Sequence, residues 1–287
     1  MSLFNQPFMQ HALLAGTGIA LVTGLVGYFV VLRAQVFTGD ALSHVAFTGA
    51  LAALAVGLDV RVGLFAFAIV FGLLMGVIGP RGRADDAVIG SVFAWILGLG
   101  VLFLSIYTTS KSAGNGSASI SVLFGSLLGL SGRQALLDAA FALLVVLGVL
   151  VVARPLLFAS VDESVAAARG VPVRALGVGF LGLVGAAAAL SAQAVGALLL
   201  LGLLAAPAGA AHRLTARPYL ALALSGALSV GEMWVGLALS YYLPRVPPSF
   251  AILAVATAVY FGVLVVSRGR PESIRPGGES SVINLET

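Results

Sequence analysis

The chain has no cysteine and a single lysine, and only 9% of its 287 residues are charged. Without cysteine there is neither a disulfide framework nor a thiolate metal site, so any metal must be held by nitrogen and oxygen donors. The lone lysine, Lys111, has no GxxxxGK[ST] around it, which excludes a P-loop. If ATP powers this protein, another chain hydrolyses it. Soluble domains carry roughly 25% charged residues, so an ordinary soluble fold is excluded as well. The 15 basic residues are scattered between apolar runs, and the net charge of +4 therefore does not point to nucleic acid.

Apolar residues dominate instead: 60% are hydrophobic and the mean hydropathy is +1.10. The runs are long enough to span a bilayer as helices and lack the alternation of a barrel strand. The expected fold class is all-α, a polytopic integral membrane protein. Breaking the chain at charges, Pro and Gly clusters gives nine spans: 12–33, 38–57, 62–79, 87–107, 134–154, 173–191, 194–212, 218–243 and 249–267. Eight result if the short pair around 192–194 is one broken element. The first eleven residues, MSLFNQPFMQH, lack a positive n-region and precede a run too long for a leader, so span 1 is expected to stay.

Orientation follows from the basic residues. With the N-terminus outside, eleven fall on the cytoplasmic side (Arg33, Arg81, Arg83, Arg154, Arg169, Arg174, Arg213, Arg217, Arg268, Arg270, Arg275) and four outside (Arg61, Lys111, Arg133, Arg245). A transmembrane domain of residues 1–268 and a polar, disordered cytoplasmic tail of 269–287 complete the expected organisation.

Two connections are longer than turns. The external one, Thr108 to Arg133, starts polar and ends in ISVLFGSLLGLS, too short to span but apolar enough to lie at the interface. The cytoplasmic one, about 155–172, reads PLLFASVDESVAAARGVP. Its centre suggests a short capped helix with Ser160 as N-cap, Asp162 and Glu163 in the first turn, and Gly170 as the stop. Such an element on the cytoplasmic face suits docking.

Polar groups inside the spans are costly and ask for a reason. Asp40 and His44, in Gly39-Asp40-Ala41-Leu42-Ser43-His44, are four residues apart and project from one helix face, where both can reach one ion. Glu232 lies near the middle of span 8. Carboxylate, imidazole and carboxylate together suit Zn(II), Mn(II) or Fe(II). The plainer alternatives are that Asp40 is the N-cap of span 2 and that His44 is a hydrogen-bonded core residue. Ser43 and Gln193 are lesser polar candidates, and Pro207, which removes a backbone hydrogen bond inside span 7, is a candidate for gating or packing. Glycines three or four apart, such as Gly182 and Gly185, let backbones approach closely.

The segments FMQHALLAG, VLRAQVFTGDALSHVAFTG, RADDAVIGSVFAWILGLGVL, LFGSLLGLS, VDESVAAARGVPV and AVGALLLLGLLAAPAGAAHRLT together resemble the ABC-3 family, the permease subunits of bacterial zinc and manganese ABC importers. The likeness covers nearly the whole chain. It departs at VDES, where the family commonly has an Asp-Pro-Glu-like sequence, although Asp162 is retained.

The resemblance implies a homodimer in the bacterial inner membrane, a cytoplasmic ATPase subunit and an extracytoplasmic solute-binding protein. It implies that metal passes Asp40, His44 and Glu232 transiently, with zinc expected first and manganese second. The coupling helix would be the segment carrying Asp162, Glu163, Ala166 and Gly170. No permanently bound cofactor is expected, and ATP sits on the partner. A proton-coupled secondary metal transporter is the alternative, but the inverted repeats that would favour it are not found.

Overall fold

The computed structural model describes residues 6–79, 83, 86–110, 127–194, 196, 200–243 and 245–268. Among these there are helices and turns and no strand. Ten α-helices follow in order: α1 (Pro7–Leu32), α2 (Val36–Val56), α3 (Val60–Ile78), α4 (Asp86–Ser110), α5 (Gly132–Val161), α6 (Glu163–Ala168), α7 (Val173–Ala194), α8 (Leu200–Leu214), α9 (Pro218–Tyr242) and α10 (Pro248–Arg268). A single 3₁₀ turn, Leu127–Gly129, precedes α5. The expected polar part of the external connection, including Lys111, and the expected tail lie outside the described residues.

Each of the nine expected spans has its helix. Eight are long and apolar enough to cross a membrane. The remaining one, α8, has 15 residues and is about 22 Å long, short of a ~30 Å hydrocarbon core. It is not the continuation of α7. Helix α7 packs on α3, α2, α5 and α1, whereas α8 packs chiefly on α1, α10 and α9 and more lightly on α2.

Local sequence sets several ends. Pro7 and Pro218 occupy first turns, where their missing N–H costs nothing. Asp59 caps α3 by accepting from the Arg61 N–H at 2.8 Å. Ser131 and Gln134 form a reciprocal capping box at α5. Gly57 closes α2 at φ 78°, a conformation that suits only glycine readily. The reversal from α1 to α2 instead uses Ala34 at φ 55°, a left-handed alanine that costs on the order of 1 kcal/mol and persists because its surroundings hold it.

Helix α1 is the hub, enclosed by α9, α5, α8 and α7. On the other side α2, α3 and α7 form a tight group with α4 leaning on α2. Backbone contact makes it tight: a Cβ on Gly63 would strike the Gly49 carbonyl, and one on Gly185 would strike the Ala68 carbonyl. This is the close approach expected of Gly185. In contrast, α4, α5 and α10 expose rows of large apolar side chains, among them Trp95, Val101, Leu144, Val151 and Val265, as lipid-facing helices do.

The two ends of the bundle gather the residues that the basic count separates. At one end Arg33 meets Ser160, Arg83 meets Glu163, and Arg174 donates to the Val77 carbonyl. At the other, Arg61 meets Asp138 and His11 lies beside Gly132.

Two expectations about the cytoplasmic connection need correction. Helix α5 does not stop at Arg154 but continues through Pro155 to Val161, because a proline removes one donor without forbidding the turns after it. Ser160 is therefore inside α5, its hydroxyl bonding back to the Leu156 carbonyl at 2.6 Å. The N-cap of α6 is Asp162, which also ends α5.

Candidate metal path and coupling surface

Helix α2 starts at Val36, so Asp40 is in its second turn and does not cap it. Asp40 and His44 share one face, their Cβ atoms roughly 5–6 Å apart by helix geometry. Both are half-buried. His44 stands edge-on to Phe93 of α4, ring centroids 5.2 Å apart. Ser43 is buried and donates to the Asp40 carbonyl at 2.7 Å, tightening the turn that carries the pair. One turn before Asp40 on the same face, Phe37 is 73% exposed. The face bearing the candidate ligands is thus open at the N-terminal end of α2 and edged by an exposed aromatic ring.

Glu232 sits elsewhere. It is 2% exposed on α9, which packs against α1, α8 and α10, whereas α2 packs chiefly against α3, α4 and α7 and touches α8 and α1 more lightly. Neither carboxylate oxygen has a hydrogen-bond partner among the described residues. One turn earlier the Ser229 and Thr23 hydroxyls are 3.2 Å apart, and before them Ser225 donates to the Gly24 carbonyl at 2.6 Å. A polar seam between α1 and α9 therefore leads to Glu232. Among the described residues no three His, Asp or Glu side chains gather around one point. The structure joins Asp40 to His44 and leaves Glu232 apart from them.

Gln193 lies at the end of α7 with its Nε2 buried and without a hydrogen-bond partner among the described residues. Pro207 is buried within α8, and the helix runs through it. His212, at the end of α8, stacks on Tyr28 with centroids 4.5 Å apart and its Nε2 lies 3.2 Å from the Tyr28 carbonyl.

On the basic end, α6 is one and a half turns long and held from below. The Asp162 carboxylate accepts from the Val165 N–H at 2.9 Å and from the Ser164 hydroxyl at 2.7 Å. These bonds, the backbone one foremost, hold its pKa below the ordinary carboxylate range. Gly170 ends the element at φ 80°. Glu163 turns back to the bundle and pairs with Arg83 at 3.6 Å. Ala166 is buried against Ala159 and Val173, so it anchors α6 and does not face a partner. Ala167 and Ser164 face outward and, with Glu163, Pro172, Val173, Arg174 and Ala175, line a groove of about 870 Å³.

Two functional-looking residues escape the sequence reading. Asp138 is 4% exposed, inside α5, and its Oδ1 lies 3.6 Å from Arg61 Nη1. An acid one turn inside span 5, on the side to which the basic count assigns Arg61, is the signal that identifies it. Arg33 counts only as a topology marker in the sequence, yet its side chain is buried.

A protein-family model described as the ABC 3 transport family matches residues 5–267. The chain belongs to the ABC 3 transport family. Family membership fits the all-helical bundle and the absent P-loop. The chain is 27% identical over 260 residues to the manganese transport system membrane protein MntC of Listeria innocua, covering 90% of each chain. It is 31% identical over 208 residues to the chelated iron transport system membrane protein YfeD of Yersinia pestis, covering 71% of this chain and 67% of that one. Among solved structures, PsaBC from Streptococcus pneumoniae in complex with Fab shares the fold, with TM-score 0.78 and 24% identity over 91% of this chain and 92% of that one.

Proposed function

We propose that the chain is the permease subunit of an ATP-driven importer of a divalent transition-metal ion, working as a homodimer in a bacterial inner membrane. Residues 1–268 are the permease domain and 269–287 a cytoplasmic tail. The N-terminus faces outward, in keeping with the asymmetry of basic residues, and the short helix α8, packed among α1, α9 and α10, completes a ninth crossing. A cytoplasmic ATPase subunit engages α6, with ATP bound on that subunit, and an extracytoplasmic solute-binding protein delivers the ion. The chain itself is not an enzyme.

The observation that carries this reading is the Asp40–His44 pair on a half-buried, partly open face of α2. Two ligands from one chain are too few to select an ion and few enough to release it. A second copy whose two-fold axis passes beside this face of α2 would bring the same pair to the same point. Two carboxylates and two imidazoles result, a set that suits Mn(II) as well as Zn(II). Manganese in the name of a relative matched along 90% of its length supports manganese as first substrate, ahead of the zinc expected from the sequence. Glu232 serves a separate step on the path, being on another helix group.

The deciding experiment is uptake of radioactive manganese and zinc by proteoliposomes holding the assembled complex. ATP-dependent manganese entry that zinc competes with is the expected result. Absence of ATP-dependent entry of either metal, or import only under an imposed proton gradient, overturns the reading.

A further inference from the structure

Arg33 is the last residue before the α1–α2 reversal, and its side chain leaves the basic surface altogether: it is 6% exposed. Its guanidinium lies over the Phe180 ring of α7 at 5.6 Å, and Nη1 donates to Ser160 Oγ at 3.4 Å. Phe180 in turn meets Phe29 edge-on at 6.0 Å. One cation therefore bridges the α1–α2 junction, α7 and the last turn of α5.

The two ends of that bridge lead to the two working parts of the molecule. Ser160 stands two residues before Asp162, the single residue that both ends α5 and caps α6. Arg33 stands seven residues before Asp40, and the first turn of α2 lies between them. The α1–α2 junction and that turn are under-satisfied: Arg33 Nε and Nη2, both amide atoms of Gln35 and the Thr38 hydroxyl are buried without hydrogen-bond partners among the described residues. Buried polar groups are normally paired. Such groups find partners in ordered water or in a second arrangement of the segment, and a second arrangement is the property a moving part needs.

We infer that Arg33 is a positioning residue that ties displacement of α6 by the ATPase to the first turns of α2, and so to the metal ligands. The inference rests on the functional reading above. Arginine suits the role because its planar guanidinium stacks on Phe180 while its edge donates to Ser160, which a lysine ammonium cannot do at once. If Arg33 served only topology and stability, its loss would lower yield or melting temperature and leave the ratio of metal moved to ATP hydrolysed unchanged.

That ratio is the test. Wild-type, R33A, R33K, S160A and R33A/S160A permeases are assembled with the ATPase and binding protein in proteoliposomes, and manganese entry per ATP is measured. R33A is expected to lower the ratio roughly tenfold, a usual size for coupling between sites, and R33K not to restore it. S160A should act in the same direction more weakly, and the double variant should match R33A, because both remove one link. An unchanged ratio in R33A, or independent losses that multiply in the double variant, overturns the inference. Should R33A fail to assemble, S160A decides alone, an unchanged ratio again overturning it.

A wild-type complex that moves neither manganese nor zinc under ATP refutes the functional reading instead. The link is then judged by labelling of a Phe37→Cys variant with and without trapped nucleotide. A nucleotide-dependent change abolished by R33A supports it, and one that survives R33A, or its absence in the wild type, overturns it.

Discussion

Arg61 Nη1 and Asp138 Oδ1 are 3.6 Å apart and tie α3 to α5 at the end of the bundle opposite α6. Asp138 is buried and its Oδ2 has no hydrogen-bond partner among the described residues, while Arg61 is still partly in contact with solvent. Removing the arginine leaves a buried carboxylate without its cation. R61A is therefore expected to destabilise the protein by about 2 kcal/mol, less than a fully buried pair would cost because Arg61 is not fully desolvated. D138L should cost less, since it removes the charge that needs a partner. Thermal unfolding in detergent checks the order, and R61A melting with the wild type would contradict it.

The candidate ligands divide by helix, and their variants should divide likewise. D40A and H44A are expected to lose manganese binding by the purified permease and to lose uptake, with normal expression. E232Q is expected to lose uptake while keeping the wild-type affinity at α2, because Glu232 lies on α9. Isothermal titration beside transport separates the cases. Loss of affinity in E232Q would mean that the carboxylate joins the α2 site after all.

The orientation of α6 makes a paired prediction. A167E introduces charge into the outward groove and should reduce recovery of the ATPase on the purified permease by about tenfold or more, as centrally placed interface substitutions do. A166W instead overpacks the contact with Ala159 and Val173 and should destabilise the permease by about 1–3 kcal/mol. Pull-down yield and melting temperature are read on both. A167E binding the ATPase normally would show that the groove is not the docking surface.

Acid should loosen α6. The folded pKa of Asp162 is depressed, so its stabilising effect is complete above the ordinary carboxylate pKa and fades as pH falls through the depressed value. Hydrogen exchange at the Val165 amide, which bonds to that carboxylate, is expected to lose protection across this acidic window. D162S keeps a capping oxygen without the charge and should flatten the response. An equally steep loss in D162S would assign the effect to another group.

Sidedness is open to direct test, since the chain has no cysteine of its own. Single cysteines replacing Ser164 and Leu58 are both exposed, and an impermeant thiol reagent applied outside whole cells should label only the second. Labelling of both from one side would remove the basis for placing the ATPase under α6.

The spans were legible because each is an apolar run bounded by charge, Pro or Gly, and such runs have only one way to satisfy their backbone in lipid. The end of α5 was not, because Arg154-Pro155 has the local chemistry of a terminator and only packing of Leu156 and Ala159 in the interior carries the helix on. For the same reason Ser160 stood in for Asp162 as the cap. The i, i+4 relation of Asp40 and His44 was legible, being internal to one helix. The distance from them to Glu232 was not, since one sequence does not say which helices become neighbours. Asp138 and Arg33 were hidden by their roles as a span residue and a topology marker, and pairing across 77 and 127 positions leaves no local trace.

The contact between Gly49 and Gly63 fixes more than a distance. Where two backbones touch, neither helix can slide along the other without side chains of adjacent turns colliding, so α2 and α3 travel as one rigid lever together with α7, which Gly185 locks to Ala68 in the same way. A spectroscopic label on the exposed Val70 of α3 will then report every excursion of the ligand-bearing helix from a site that never touches the ion.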